Sequence, residues 1–189
     1  MRQEIERCHL ALERAAAGET VALLSSGDAG VYGMAGLAVE IAAKENLHAP
    51  IEIVPGISAA NSAAARFGAP LMLDYACVSL SDLLIPWEVI RRRLEAVAAA
   101  DFVVALYNVK SRKRSWQIKE AAAVFLRCRP ASTPVGIATA VGREDERLEL
   151  SDLGHFTEVE MNMRTLVIVG NSTSLNLNGF FITPRGYSI

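Results

Sequence analysis

Short apolar runs, each closed by glycine, proline or asparagine, alternate along this chain with stretches whose apolar residues return every third or fourth position. The first rhythm predicts buried strands and the second amphipathic helices. Residues 1–17 read as a helix with Ile5, Cys8, Leu12 and Ala15 on one face, ended by Gly18. A strand is expected at 21–25 and a helix at 31–45, burying Val31, Met34, Ala38 and Ile41. A second strand at 51–54 meets Pro55-Gly56, and Ser58 is placed to cap a short helix over 59–67 that Gly68 closes. Two successive strand–turn–helix units predict parallel strands with right-handed crossovers, so that both turns lie on one sheet edge.

The irregular segment from Ala69-Pro70 to Tyr75 is read as a boundary, giving domains of residues 1–75 and 76–189. Beyond it the pattern predicts strands at 76–80, 101–107, 135–141 and 165–169. Helices are expected at 86–99 and 116–128, with Pro86 in a first helical turn. Residues 148–150 are expected to pair back antiparallel, 151–163 to hold a turn and one short helix, and 180–183 to form an edge strand. The fold class is therefore α/β.

The glycine-rich turn of residues 26–36 is the first candidate site. A strand that breaks into Gly27, Asp28 and Gly30 and then into a helix is how α/β proteins hold small ligands at the carboxyl edge of a sheet. Such a turn also occurs simply to let helix and strand pack closely, and Gly33 and Gly36 admit that reading. Neither the dinucleotide pattern GxGxxG nor the phosphate loop GxxxxGK[ST] is present, so a nucleotide phosphate is not the indicated ligand.

Composition narrows the class. The chain has 189 residues, 51% hydrophobic and 6% aromatic, with a formal net charge of −2, which gives no nucleic-acid signature. No apolar run reaches the roughly 18 residues of a membrane span, and the charged, amphipathic start does not resemble a signal peptide. Cys8, Cys77 and Cys128 are too widely spaced for a disulfide framework or zinc site, and His9, His48 and His155 show no metal-ligand spacing. A soluble, cytoplasmic protein without membrane or nucleic-acid partners is the expectation.

Four stretches then carry a family likeness. They are Ser26 to Ala35 (SGDAGVYGMA), Val54 to Ala60 (VPGISAA), Ala105 to Asn108 (ALYN) and Met163 to Ser172 (MRTLVIVGNS). Together they resemble the tetrapyrrole (corrin/porphyrin) methylase family, and the likeness covers almost the whole chain. Within it, Ser79 to Trp87 (SLSDLLIPW) and the SRKR segment after Tyr107-Asn108 are most similar to the precorrin-3B C17-methyltransferase branch of cobalamin biosynthesis. Family members usually open with a strand and a Gly-Pro-Gly loop that are not found here, so the N-terminal domain is expected to be incomplete. Val109 also stands where the branch usually has proline.

The resemblance implies two α/β domains with S-adenosyl-L-methionine in a cleft between them, methylation of C17 of precorrin-3B or its cobalt analogue with ring contraction, and a homodimer. By motif position it implies that Ser26, Gly27, Asp28, Val31, Ser58, Ala59, Tyr107 and Ala138 border the cofactor. No catalytic residue is evident. Asp82 is the one candidate for proton transfer, and a turn or capping aspartate is the alternative. Lys110, Arg112 and Arg114 are candidates for the substrate's carboxylates, against a merely solvated loop at a helix start. Two other functions stay open: a non-catalytic remnant or binding module of this fold, and a methylase of this fold with another substrate.

Overall fold

In residues 60–189 the apolar runs become strands because each finds at least one partner strand. A computed structural model describes residues 3–111 and 114–188, which form two units, residues 1–59 and 60–189.

In residues 1–59, helix α1 (Glu4–Ala16) and helix α2 (Ala35–Lys44) pack through Cys8, Leu12, Met34, Ala38, Ile41 and Ala42. Gly18, with φ +94°, follows the last turn of α1 in the left-handed conformation that glycine adopts at least cost. Two expectations fail here. Residues 21–25 and 51–54 join no strand ladder among the described residues. Their β-branched and aliphatic side chains favour an extended chain, but a strand also requires a backbone partner about 4.8 Å away. Nor does α2 begin at residue 31. Tyr32 takes φ +54°, which breaks the helical path, and Val31 stays exposed.

Residues 60–189 are built on a five-stranded sheet. In chain order its surroundings begin with helix α3 (Ala59–Phe67), two-residue strand β1 (Gly68–Ala69), β2 (Tyr75–Ser79), helix α4 (Trp87–Ala99) and β3 (Val103–Tyr107). Helix α5 (Gln117–Leu126), β4 (Pro134–Thr139), β5 (Arg147–Asp152), β6 (Thr165–Val169), β7 (Leu175–Leu177) and β8 (Phe180–Ile182) follow, with one 3-10 turn at Phe156–Glu158. The sheet order is β2-β3-β6-β4-β5; β2 and β3 are parallel and the other neighbours antiparallel. The expected antiparallel return at 148–150 is the middle of β5. A second sheet, β1-β8-β7, holds the strand expected near 180, but at its centre, paired with β1 on one side and β7 on the other, and not at an edge.

The central strands β3, β6 and β4 are covered on both faces, which explains why they read as apolar runs, whereas the edge strand β5 is exposed and polar in part. Side chains alternate between the faces. Val104, Leu106, Val167 and Val169 join the α4 and α5 core, whereas Val103, Ala105, Leu166 and Ile168 join α3 and Phe181 of β8. Gly136 is required in β4 because a Cβ there would stand 2.7 Å from the Phe67 ring. At the end of the sheet remote from Tyr107, the fully buried Arg129 guanidinium donates to the carbonyls of Gly170 (2.6 Å), Phe102 (2.7 Å) and Val97 (3.4 Å). It so ties the ends of α4, β3 and β6 together, and it stacks on Phe125. No described helix is long and apolar enough to cross a membrane.

Candidate functional site

Within residues 1–59 the two glycine turns are one structure, and Asp28 joins them. Its Oδ1 accepts hydrogen bonds from the N–H groups of Gly30 (2.8 Å) and Val31 (3.2 Å), and its Oδ2 accepts from Gly56 N–H (3.0 Å). The hydrogen bond from Gly56, followed by that from Gly30, holds the Asp28 carboxyl below its ordinary value. Two glycines are obligatory in this arrangement. A Cβ on Gly56 would lie 2.2 Å from the Gly27 carbonyl oxygen, and one on Gly33 would lie 2.4 Å from that of Ala29. The Ala29 carbonyl is already engaged by Ala35 N–H (3.0 Å), at the start of α2. Ser25 Oγ accepts from Met34 N–H (3.2 Å) and closes the turn.

Ser26 and Gly27 are exposed at the tip of this loop pair, with Gly27 at φ +76°. Val31 is exposed on the same turn, and Ser58 and Ala59 follow Gly56 into α3. The sequence places the turn and its glycines correctly. It does not disclose that the Asp28 carboxylate is fully engaged as the bolt between turns, because Gly56 is 28 residues away.

Within residues 60–189 the candidates lie at the carboxyl ends of β2, β3 and β4. Tyr107 closes β3, and its hydroxyl accepts the N–H of Ala60 (3.0 Å) in the first turn of α3. That N–H has no partner within the helix. Ala138 is buried in β4 beside Leu166, with backbone pairs on both flanks. Asn108 follows with φ +54°, and its side-chain amide donates to Ser79 Oγ (2.9 Å). Arg114 reaches back, donating from Nε to the Asn108 carbonyl (2.7 Å) and from Nη1 to Ser81 Oγ (3.3 Å). Asp82 Oδ2 accepts from Gln117 Nε2 (2.9 Å), a side chain only 1% exposed at the start of α5.

The loop after β2 is thus tied at Ser79, Ser81 and Asp82 to Asn108, Arg114 and Gln117. Lys110 lies in the loop after β3, and neither Lys110 nor Arg114 has an acidic partner among the described residues. Arg112 lies outside the described residues. Gln117, Ser79 and Ser81 hold this edge; the sequence assigns none of them a role, although Ser79 and Ser81 fall within the quoted SLSDLLIPW stretch.

What the arrangement can do follows from its groups. Residues 26–31 and 55–58 present exposed main chain with a fixed shape, which suits an uncharged or zwitterionic ligand held through backbone groups. The β2–β3 edge presents Lys110 and Arg114, cations with no acidic partner among the described residues, which suit carboxylates.

Residues 2–157 match the family model for Tetrapyrrole (Corrin/Porphyrin) Methylases. The chain is 47% identical over all of its 189 residues to a probable cobalt-factor III C(17)-methyltransferase of Salmonella typhimurium, and spans 78% of that relative. It superposes on the crystal structure of the methyltransferase CobJ with a TM-score of 0.89 at 34% identity, covering 97% of this chain and 77% of that one. A uroporphyrin-III C-methyl transferase from Thermus thermophilus, solved with S-adenyl homocysteine, shares the fold at a TM-score of 0.65 and 23% identity, with coverage of 89% and 74%. The mixed α/β architecture, the fixed glycine turns and these likenesses agree: the chain belongs to the tetrapyrrole methylase family.

Proposed function

We propose that this chain is an S-adenosyl-L-methionine-dependent C-methyltransferase of corrin-ring biosynthesis, acting at C17 of precorrin-3B or its cobalt analogue. The carrying observation is the likeness to a C17-methyltransferase over the whole of this chain.

The cofactor supplies an electrophilic methyl group on a sulfonium, whose C–S bond breaks as the new C–C bond forms. What the protein adds is orientation and electrostatics rather than a nucleophile of its own. Under this reading the fixed loop pair supplies Ser26, Gly27, Asp28, Val31, Ser58 and Ala59 to the cofactor. Asp28 acts through the shape it imposes, since its oxygens are occupied by backbone N–H groups. The absence of a charged side chain among these loop residues other than Asp28 fits a ligand held by main chain. Tyr107 and Ala138 are assigned to the cofactor by motif position. Lys110, Arg112 and Arg114 are assigned to substrate carboxylates, and Asp82, oriented by Gln117, to proton transfer.

Two further elements belong to the reading. Cys8, Cys77 and Cys128 form no disulfide, in keeping with a reducing, cytoplasmic setting. A homodimer is the family's arrangement and is proposed on that ground, and the division after residue 75 is proposed on the irregular segment of residues 69–75. The test is incubation with methyl-labelled cofactor and precorrin-3B or its cobalt counterpart, followed by mass analysis. Transfer of one methyl is expected. Failure to transfer, together with undetectable S-adenosylhomocysteine binding at millimolar concentration, overturns the proposal.

A further inference from the structure

The segment between Asp82 and Trp87 has no part in the contacts described so far, yet it is unusual chemically. Leu83 is 81% exposed and Leu84 is 87% exposed, adjacent at the tip of the loop between β2 and α4. Single exposed leucines are ordinary; two at the tip of a loop fastened on both sides are less so. On one side, the Asp82 carboxylate is held by the buried Gln117 amide, and Ser81 is held by Arg114. On the other, Trp87 meets Trp116 edge to face with ring centroids 4.9 Å apart. The chain therefore pays the ordering of this loop in advance and still leaves both apolar side chains in water, which is the arrangement of a preformed binding surface.

The chemistry around the tip selects the ligand. Arg114 bonds to the loop at Ser81, and Lys110 lies four residues before it; neither cation has an acidic partner among the described residues. An apolar tip beside a loop whose cations have no acidic partner among the described residues fits a flat, apolar macrocycle carrying peripheral carboxylates. We propose that Leu83 and Leu84 form the rest for one face of the tetrapyrrole ring, while Lys110 and Arg114 take carboxylates at its rim. This inference rests on the methyltransferase reading for the identity of the substrate, and gives that reading a specificity element.

Leu83→Ser/Leu84→Ser tests it, since both side chains are in solvent and their loss leaves the core intact. Trp87 and Trp116 beside the tip allow a direct readout by fluorescence quenching with uroporphyrin III as the probe. Loss of most of two leucine contacts is expected to weaken probe affinity, and to raise KM for the corrin precursor, about tenfold. The kcat and the affinity for S-adenosylhomocysteine stay as in the parent. Lys110→Gln is expected to weaken probe binding less and to flatten its dependence on salt. Equal probe affinity in parent and double variant, or no saturable quenching by the parent, overturns the inference. So does a change in association state by light scattering with unchanged probe affinity, which would mark the leucines as a protein contact. Saturable probe binding that is lost in the double variant, in a chain that neither transfers methyl nor binds S-adenosylhomocysteine at millimolar concentration, upholds the tip and sinks the catalytic reading instead.

Discussion

Residues 60–189 and residues 1–59 hold themselves in shape by different means. In the first, the central strands of a five-stranded sheet are covered on both faces, and Phe125, Leu106, Ile168 and Phe181 are all fully buried. In the second, the buried cluster is small and made by two helices, while Leu24, Ile53, Val54 and Ile57 are exposed. What fixes the glycine turns there is a set of hydrogen bonds to one carboxylate. The difference teaches that the same local sequence signal, a short apolar run before a glycine, gives a core strand only where a partner strand exists. Elsewhere it gives an extended segment whose geometry is set by polar contacts.

Paired truncations break the comparison most directly. Phe125→Ala removes a fully buried ring and is expected to cost about 3–5 kcal/mol. Ile53→Ala removes a side chain that is 52% exposed and is expected to cost less than about 0.5 kcal/mol. Denaturation by urea, followed by circular dichroism, measures both. Comparable losses from the two changes would show that residues 51–54 carry packing as weighty as the sheet's.

A smaller effect probes the polar means used by residues 1–59. Asp28→Asn leaves one carbonyl oxygen for three donors and turns an NH2 group toward N–H groups. The Gly56 amide is expected to lose its protection in hydrogen exchange, and S-adenosylhomocysteine affinity to fall about tenfold, the loss of roughly one charged hydrogen bond. The pH dependence has a definite sign. Because the folded carboxyl lies below its ordinary value of 3.8, its contribution is complete above that pH and is lost as pH falls through the lower folded value. Urea unfolding of the parent should show this contribution to stability flat through neutral pH and falling only in that acid range, and Asp28→Asn should lack that part of the fall. A Gly56 amide equally protected in the variant would mean that the turns hold together without the carboxylate.

The same contrast explains what could be read from the sequence. The strand at Thr165–Val169 and the helix at Ala59–Phe67 lie where their patterns put them, because burial on two faces or one leaves a periodic signature. The start of α2 at Ala35 was not legible, since it depends on Tyr32 adopting positive φ and on Gly33 pressing against the Ala29 carbonyl. The strands β1 and β7 were missed because each is too short for an alternation to register. At the candidate site, the glycines and Asp28 announced the turn, and Tyr107-Asn108 announced the strand end. Their partners, Gly56 for Asp28, Ala60 for Tyr107 and Gln117 for Asp82, lie 28, 47 and 35 residues away. Those pairings are products of the fold, and no local pattern encodes them.

Tyr107→Phe gives the smallest change and separates two roles at one residue. The hydroxyl accepts the N–H of Ala60, which is fully buried and has no acceptor within its own helix. Removing the oxygen leaves that donor unsatisfied at the start of α3, an expected loss of about 1 kcal/mol. The ring remains, so its packing against the α3 side of the sheet is kept. If Tyr107 borders the cofactor through its main chain, S-adenosylhomocysteine affinity should change less than about twofold while the urea midpoint falls. A large loss of affinity with unchanged stability would instead assign the hydroxyl to the ligand. It would also mean that α3 begins without help from the sheet, and that residues 60–189 rely on packing alone where they are here read as also using a side-chain cap.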